Sequence, residues 1–323
     1  MRLSHFAPLA LMLALLAGCE FETSVGIDPP PFEEALVVYA FPTPDSTWTV
    51  SVAKSLPLGS NRSYEVPDAT VTIHEGGAVV ETLVLQTARP EGEPTYSIQP
   101  SVYVSPTGAT PEAGRTYRIE ITAPGLPLAS SETTIPLAPE AEVVSDEWTY
   151  YDEGGYNSRR LRVGLVDPPG DDIYELALLL REDYQEGYIN EYTYRFTSVT
   201  PSFRRGYEFL DIDVGVETDA EYYREVVFRD ALFRDRRQEF ELDFDTYADE
   251  FATRSFAVAV GRVSEPFARY QASRRQQIDN ESNPFAEPSP LYSNVDGGYG
   301  VVGAFTSVRI ALPDPPPPAL AAR

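Results

Sequence analysis

Short apolar runs with period-two alternation recur along most of the chain, separated by clusters of Gly, Pro, Asn and Asp. Period two puts successive side chains on opposite faces of an extended strand, so each run predicts a strand with a buried face. Residues 35–41 (Ala-Leu-Val-Val-Tyr-Ala-Phe) are apolar almost throughout and predict a core strand. In 47–53, Trp48, Val50 and Val52 share one face. Residues 69–74 and 79–85, joined by Glu75-Gly76-Gly77, carry a hairpin signature. In 114–121, Tyr117, Ile119 and Ile121 face inward, opposite Thr116, Arg118 and Glu120. With 96–98 and 129–135 this makes about seven strands, the count of an immunoglobulin-like or transthyretin-like sandwich.

The pattern continues through 160–166, 173–181, 192–197, 208–216, 239–244, 256–263 and 301–310. Two stretches read as helical. Residues 232–238 suggest a turn between strands, and 264–278 a helix capped by Ser264 with Pro266 in its first turn. Phe267, Tyr270 and Arg274 share one face of that helix. The expected fold class is all-β: two β-sandwich domains, the first immunoglobulin-like or transthyretin-like, the second larger with one or two short helices. The expected boundaries are a signal peptide at 1–18, a tether at 19–32, the first sandwich at 33–139, the second at 140–312 and a Pro-rich tail at 313–323.

One segment breaks the β pattern. Residues 6–16 are apolar, follow Arg2 and end in Leu16-Ala17-Gly18-Cys19. The run is too short to span a bilayer, which needs ~20 residues, and fits a signal-peptide h-region. An apolar residue, two small residues and a cysteine are the order of a bacterial lipoprotein signal, and Cys19 is the only cysteine present. Cleavage before Cys19 with acylation of its sulfur is therefore expected, and more than one acyl chain makes such an anchor durable. Glu20 stands where Asp often retains lipoproteins in the inner membrane, which points to the outer membrane. Glu20 and Glu22 beside the lipid favour the cell surface over the periplasmic side.

Charge and composition narrow the chemistry. The formal net charge is −25, from 25 basic against 50 acidic residues, which excludes nucleic acid and anionic lipid as partners bound through bulk charge. Lys54 is the only lysine. Past the signal peptide one histidine remains, His74, and acylation consumes the one thiol, so Cys-His catalysis and Cys/His zinc sites are not expected. No catalytic residue, metal or cofactor is assigned. Asp211-Ile212-Asp213-Val214-Gly215 and Asp243-Phe244-Asp245 lack the full ligand spacing of a calcium loop and read as solvated strand faces. Tyr192, Tyr194 and Phe196 share a strand face, either as cross-strand packing or as an exposed aromatic platform for sugar, peptide or protein.

Near the end, Asn283-Pro284-Phe285-Ala286-Glu287-Pro288-Ser289-Pro290-Leu291-Tyr292-Ser293-Asn294-Val295-Asp296-Gly297-Gly298-Tyr299-Gly300 combines Pro-enforced extended backbone with a Gly-rich tight turn. It reads as a clasp tying helix to sheet, or as a partner-docking loop around Asn283, Glu287, Asn294 and Asp296. With Val227-Phe228-Arg229-Asp230-Ala231-Leu232-Phe233 and Ser264-Glu265-Pro266-Phe267 before it, the motif resembles domain-of-unknown-function family 4249. That family comprises lipoproteins of Bacteroidota and relatives. The chain departs from its pattern at Phe267-Ala268-Arg269-Tyr270 and Arg234-Asp235-Arg236-Arg237. The resemblance implies no established activity. It does imply an accessory role beside a TonB-dependent outer-membrane receptor, since the genes commonly adjoin. A carboxylate-based glycan hydrolase and a structural envelope lipoprotein without small ligand are the alternatives.

Overall fold

Leu36–Ala40 (β1) follows the alternation: Leu36, Val38 and Ala40 are buried, with Val37 and Tyr39 partly exposed between them. The structure, a computed structural model, describes residues 32–57, 59–86, 100–150, 156–185, 187–194, 198–200, 225–247, 252–281, 287 and 289–313. After β1 come Thr49–Lys54 (β2), Thr70–Glu75 (β3), Ala78–Leu85 (β4), Ser101–Val104 (β5), Thr116–Thr122 (β6) and Ala129–Thr134 (β7). Glu140–Tyr150 (β8), Tyr156–Val166 (β9), Ile173–Tyr184 (β10), Ile189–Tyr194 (β11), Ser198–Thr200 (β12) and Glu225–Arg229 (β13) follow. A 3-10 turn at Asp230–Leu232 leads to Arg237–Tyr247 (β14) and Ala252–Val263 (β15). The helix Glu265–Glu281 (α1), Gly298–Val302 (β16) and Phe305–Ala311 (β17) complete the order.

The described residues are all-β apart from α1 and short turns. Its largest sheet has the order β16-β1-β2-β5-β4-β3-β6-β7. Neighbours are antiparallel except β1 and β16, which run parallel from Leu36 opposite Gly298 to Ala40 opposite Val302. The ends of this sheet approach one another, because Ser130 of β7 and Asp296, just before β16, exchange two backbone hydrogen bonds of 2.9 and 2.8 Å. The sheet is thus nearly barrel-like, wrapped around Leu36, Val38, Trp48, Val50, Val52, Ile73, Ile119 and Ile121. The inward faces of β2 and β6 are the ones the sequence predicts.

A five-stranded sheet (β11-β10-β15-β17, with β13 also on β10) and a four-stranded sheet (β12-β14-β9-β8) share a second core. Leu161, Val163 and Leu165 of β9 and Phe240, Leu242 and Phe244 of β14 supply one side. Tyr174, Leu176, Leu178 and Leu180 of β10, with Val258 and Val260 of β15, supply the other. All three sheets belong to one compact unit beginning at Glu34.

Several elements differ from expectation for identifiable reasons. β8 has an acidic composition and a bulge between Val143 and Ser145, which shifts the alternation by one and hides the strand. The turn between strands expected at 232–238 comes two residues earlier: a 3-10 turn at Asp230–Leu232 runs on through Phe233 and Arg236, whose N–H groups donate to Asp230 O and Phe233 O, and β14 begins at Arg237. The run 301–310 is broken at Gly303-Ala304, where Gly303 N–H donates to Ala40 O (3.0 Å), separating β16 from β17. β11 starts at Ile189, three residues before the predicted strand. The predicted strands at 96–98 and 208–216 lie outside the described residues.

Candidate functional site

Helix α1 begins where the sequence places it. The Ser264 hydroxyl accepts Phe267 N–H (3.4 Å) and also Ala304 N–H (2.9 Å), so one side chain caps the helix and ties it to the β16–β17 connection. Phe267 and Ala268 are buried, and Phe267 meets Phe41 edge-on at 5.7 Å and Phe305 at 5.5 Å. Gly303 is required here, since a Cβ on it would lie 2.7 Å from Phe267 N.

The segment after α1 forms a clasp. Asn280 Nδ2 donates to Glu287 O (3.1 Å) and Ser289 Oγ (2.8 Å). Tyr292 N–H donates to Ser273 Oγ (2.9 Å), and the Arg269 guanidinium lies 5.6 Å from the Tyr292 ring. Asn294 reaches across the turn to Val302, while its carbonyl accepts from Ser131 Oγ (2.8 Å). Gly298 and Gly300 let β16 lie against β1: a Cβ on Gly300, at φ +108°, would stand 2.0 Å from Val38 O. The structure therefore ties Glu287 and Tyr292 to α1 and Asn294 to the end of β16, with Gly298 and Gly300 in β16 itself. Asn283, Pro284, Phe285 and Pro288 lie outside the described residues, as do Cys19 and Phe196.

Beside the N-terminus of α1 opens a cleft of about 650 Å³. One wall is the Glu132–Ile135 stretch with Pro136 and Leu137; facing it are Asp171, Asp172, Arg229, Arg262 and Glu265. Behind Asp172, carboxylate oxygens of Asp167, Asp172 and Asp230 lie within 4.8 Å of one another. Sequence reasoning missed this trio, which only the fold assembles. Its spacing is what an oxygen-ligated cation would use. The oxygens are, however, already engaged. Asp167 accepts Tyr174 O–H (2.7 Å) and Asp235 N–H (2.8 Å). Asp230 accepts Asp172 N–H (2.9 Å), and Asp172 accepts Arg262 Nε (2.7 Å) in a two-pronged pair. Burial, and then the charge of Asp167, push the Asp230 carboxyl above the usual aspartate range against the opposing backbone hydrogen bond. Burial likewise raises the Tyr174 phenol, helped by its bond to Asp167.

His74 Nε2 lies 2.9 Å from Thr72 Oγ1 and 3.5 Å from Glu120 Oε2. A nucleophile–histidine–carboxylate relay needs its partners on opposite ring nitrogens, and here both approach the same one. Asp243 pairs with Arg160 (2.7 and 3.0 Å) on a strand face, and Phe244 between the two aspartates is core. Of the aromatic platform, Tyr192 is 41% exposed. Tyr194 instead donates its O–H to Asp245 O (3.0 Å) and packs edge-on against Phe256. Next to them Tyr184 and Tyr188 stack at 4.3 Å.

No curated protein matches the chain in sequence. The clasp, the cleft, α1 and the described parts of all three sheets fall within residues 22–311, over which the chain matches the family described as Domain of unknown function (DUF4249), and it belongs to that family.

Proposed function

We propose that the chain is a lipid-anchored outer-membrane lipoprotein, a non-enzymatic accessory or binding partner of a TonB-dependent uptake receptor. The observation that carries the anchor is Leu16-Ala17-Gly18-Cys19, which puts the sole cysteine directly after an apolar run and two small residues. The family match begins at residue 22, just past that cysteine, so the family-defining part of the chain follows the acylation point directly. The receptor rests on the family's gene neighbourhood. We read the body as two β-sandwich modules, the first immunoglobulin-like or transthyretin-like and the second larger. The core shared by the five- and four-stranded sheets supports the second.

Pull-down of the protein from detergent-solubilised membranes tests the receptor. Recovery of a large β-barrel protein is the expected result, and repeated recovery of the chain alone contradicts it. Proteolysis of intact cells should cleave a surface-facing chain and spare a periplasmic one. The second reading, a carboxylate hydrolase of glycans, draws on the Asp167–Asp172–Asp230 trio beside the cleft. Release of reducing sugar that Asp172→Asn abolishes would favour it over a binding role.

A further inference from the structure

The seam between the two ends of the largest sheet is zipped at one point and open beyond it. In the antiparallel pair of β6 and β7, alternate residues turn their backbone groups toward the neighbour and away from it. Ile135 N–H donating to Arg115 O (2.8 Å) fixes the phase: Ser131 and Thr133 face β6, while Ser130, Glu132 and Thr134 face outward. Asp296 takes both outward groups of Ser130. The outward N–H and C=O groups of Glu132 and Thr134 have no partner among the described residues, and both residues line the cleft.

Two features identify what fits. Donors and acceptors at the spacing of a strand edge match the backbone of an extended peptide, the basis of recognition by strand addition. The cleft is also acidic. Glu132, Asp171, Asp172 and Glu265 line it against Arg229 and Arg262. Asp171 pairs with Arg234, Asp172 with Arg262, and Glu265 with Arg229 and Arg269, so Glu132, on the open edge itself, is the lining carboxylate with no ion pair among the described residues. Exposed sheet edges invite indiscriminate pairing, and this carboxylate beside the open backbone groups favours a cationic strand over an acidic one. We propose that the cleft binds an extended, cationic peptide segment of a partner protein as an added strand on the outer edge of β7.

This goes beyond the anchor reading and does not rest on it, because Cys19→Ala protein should bind the same peptide. The test uses the full mature chain in detergent micelles with two synthetic peptides of equal length, one alternating valine with lysine and one valine with glutamate. Fluorescence anisotropy should show binding of the lysine peptide only, and amide-resolved hydrogen exchange should show new protection at Glu132 and Thr134. Thr134→Pro removes one outward N–H, keeps the backbone bonds to β6 and loses the Thr134 Oγ1–Thr116 Oγ1 contact of 2.8 Å. It is therefore compared with Thr134→Val, which loses that contact alone, and should bind about tenfold more weakly than Thr134→Val. Equal affinity in the two variants, or protection confined to other strands, overturns the proposal. Protection at the same amides without peptide, in a protein that self-associates, also overturns it by making a second copy the occupant. Should Thr134→Pro not fold, the double variant E132K/E265K must reverse the preference toward the glutamate peptide, and an unchanged preference overturns the proposal as well.

Discussion

The carboxamide of Asn294 exchanges two hydrogen bonds with the backbone of Val302: Nδ2 donates to the carbonyl at 3.0 Å, and Val302 N–H donates to Oδ1 at 2.9 Å. One side chain thus takes the place of a strand neighbour at the end of β16. Asn294→Ala leaves a donor and an acceptor of Val302 unpaired at a buried residue, with an expected cost of about 2–3 kcal/mol. Equilibrium denaturation in urea measures it. A loss below about 0.5 kcal/mol would mean that water replaces the carboxamide at both groups.

Gly300→Ala should be worse. The position combines φ +108° with a Cβ site 2.0 Å from Val38 O, so the methyl group meets backbone that cannot swing aside. The expected outcome is separation of β16 from β1, read as loss of hydrogen-exchange protection at Val38 and at Gly303, whose N–H donates to Ala40 O. Retained protection would show that β16 can shift away from β1.

Arg159 is the largest buried cation among the described residues, and it faces Asp146 in a two-pronged pair of 2.7 and 2.5 Å. It also donates to Pro313 O (2.9 Å) beneath the Trp148 ring, 4.3 Å away. Arg159→Ala strands the Asp146 carboxylate and should cost about 3–5 kcal/mol. The double variant R159M/D146L removes both charges and should recover most of that loss in thermal unfolding. If the double variant is as unstable as the single one, the cost lies in packing against Trp148 and not in charge.

Asp230 makes stability depend on pH in a defined direction. Its folded carboxyl is raised above the unfolded one, so between the two values the folded state holds more protons and stability falls as pH rises. The favourable contribution is full below the ordinary aspartate range and is lost as pH climbs through the raised value. Asp230→Asn should flatten that part of the profile and stabilise the protein at pH 7 relative to wild type. A profile as steep as wild type would assign the dependence to another group.

The sequence made some elements legible and hid others for physical reasons. β2, β6 and β10 were plain because one face of each meets the core without interruption, and α1 because Ser264 and Pro266 mark its start. β8 was hidden by its bulge and its many carboxylates, and β13 by its brevity. The parallel pairing of β1 with β16 joins residues far apart in the chain, and no local pattern encodes it. In the clasp, Gly297, Gly298 and Gly300 announced a tight turn, but the reach of Asn294 to Val302 depends on where β16 lands. The trio Asp167, Asp172 and Asp230 was invisible among 50 acidic residues, since spacing in sequence carries no weight at that density. The proposed function turns on Cys19, which lies outside the described residues.

Membrane fractionation of cells expressing the wild-type chain and Cys19→Ala side by side tests that claim most directly. Wild type should sediment with the outer membrane and the variant should appear in the soluble fraction. A Cys19→Ala protein that stays in the membrane fraction would contradict the lipid anchor.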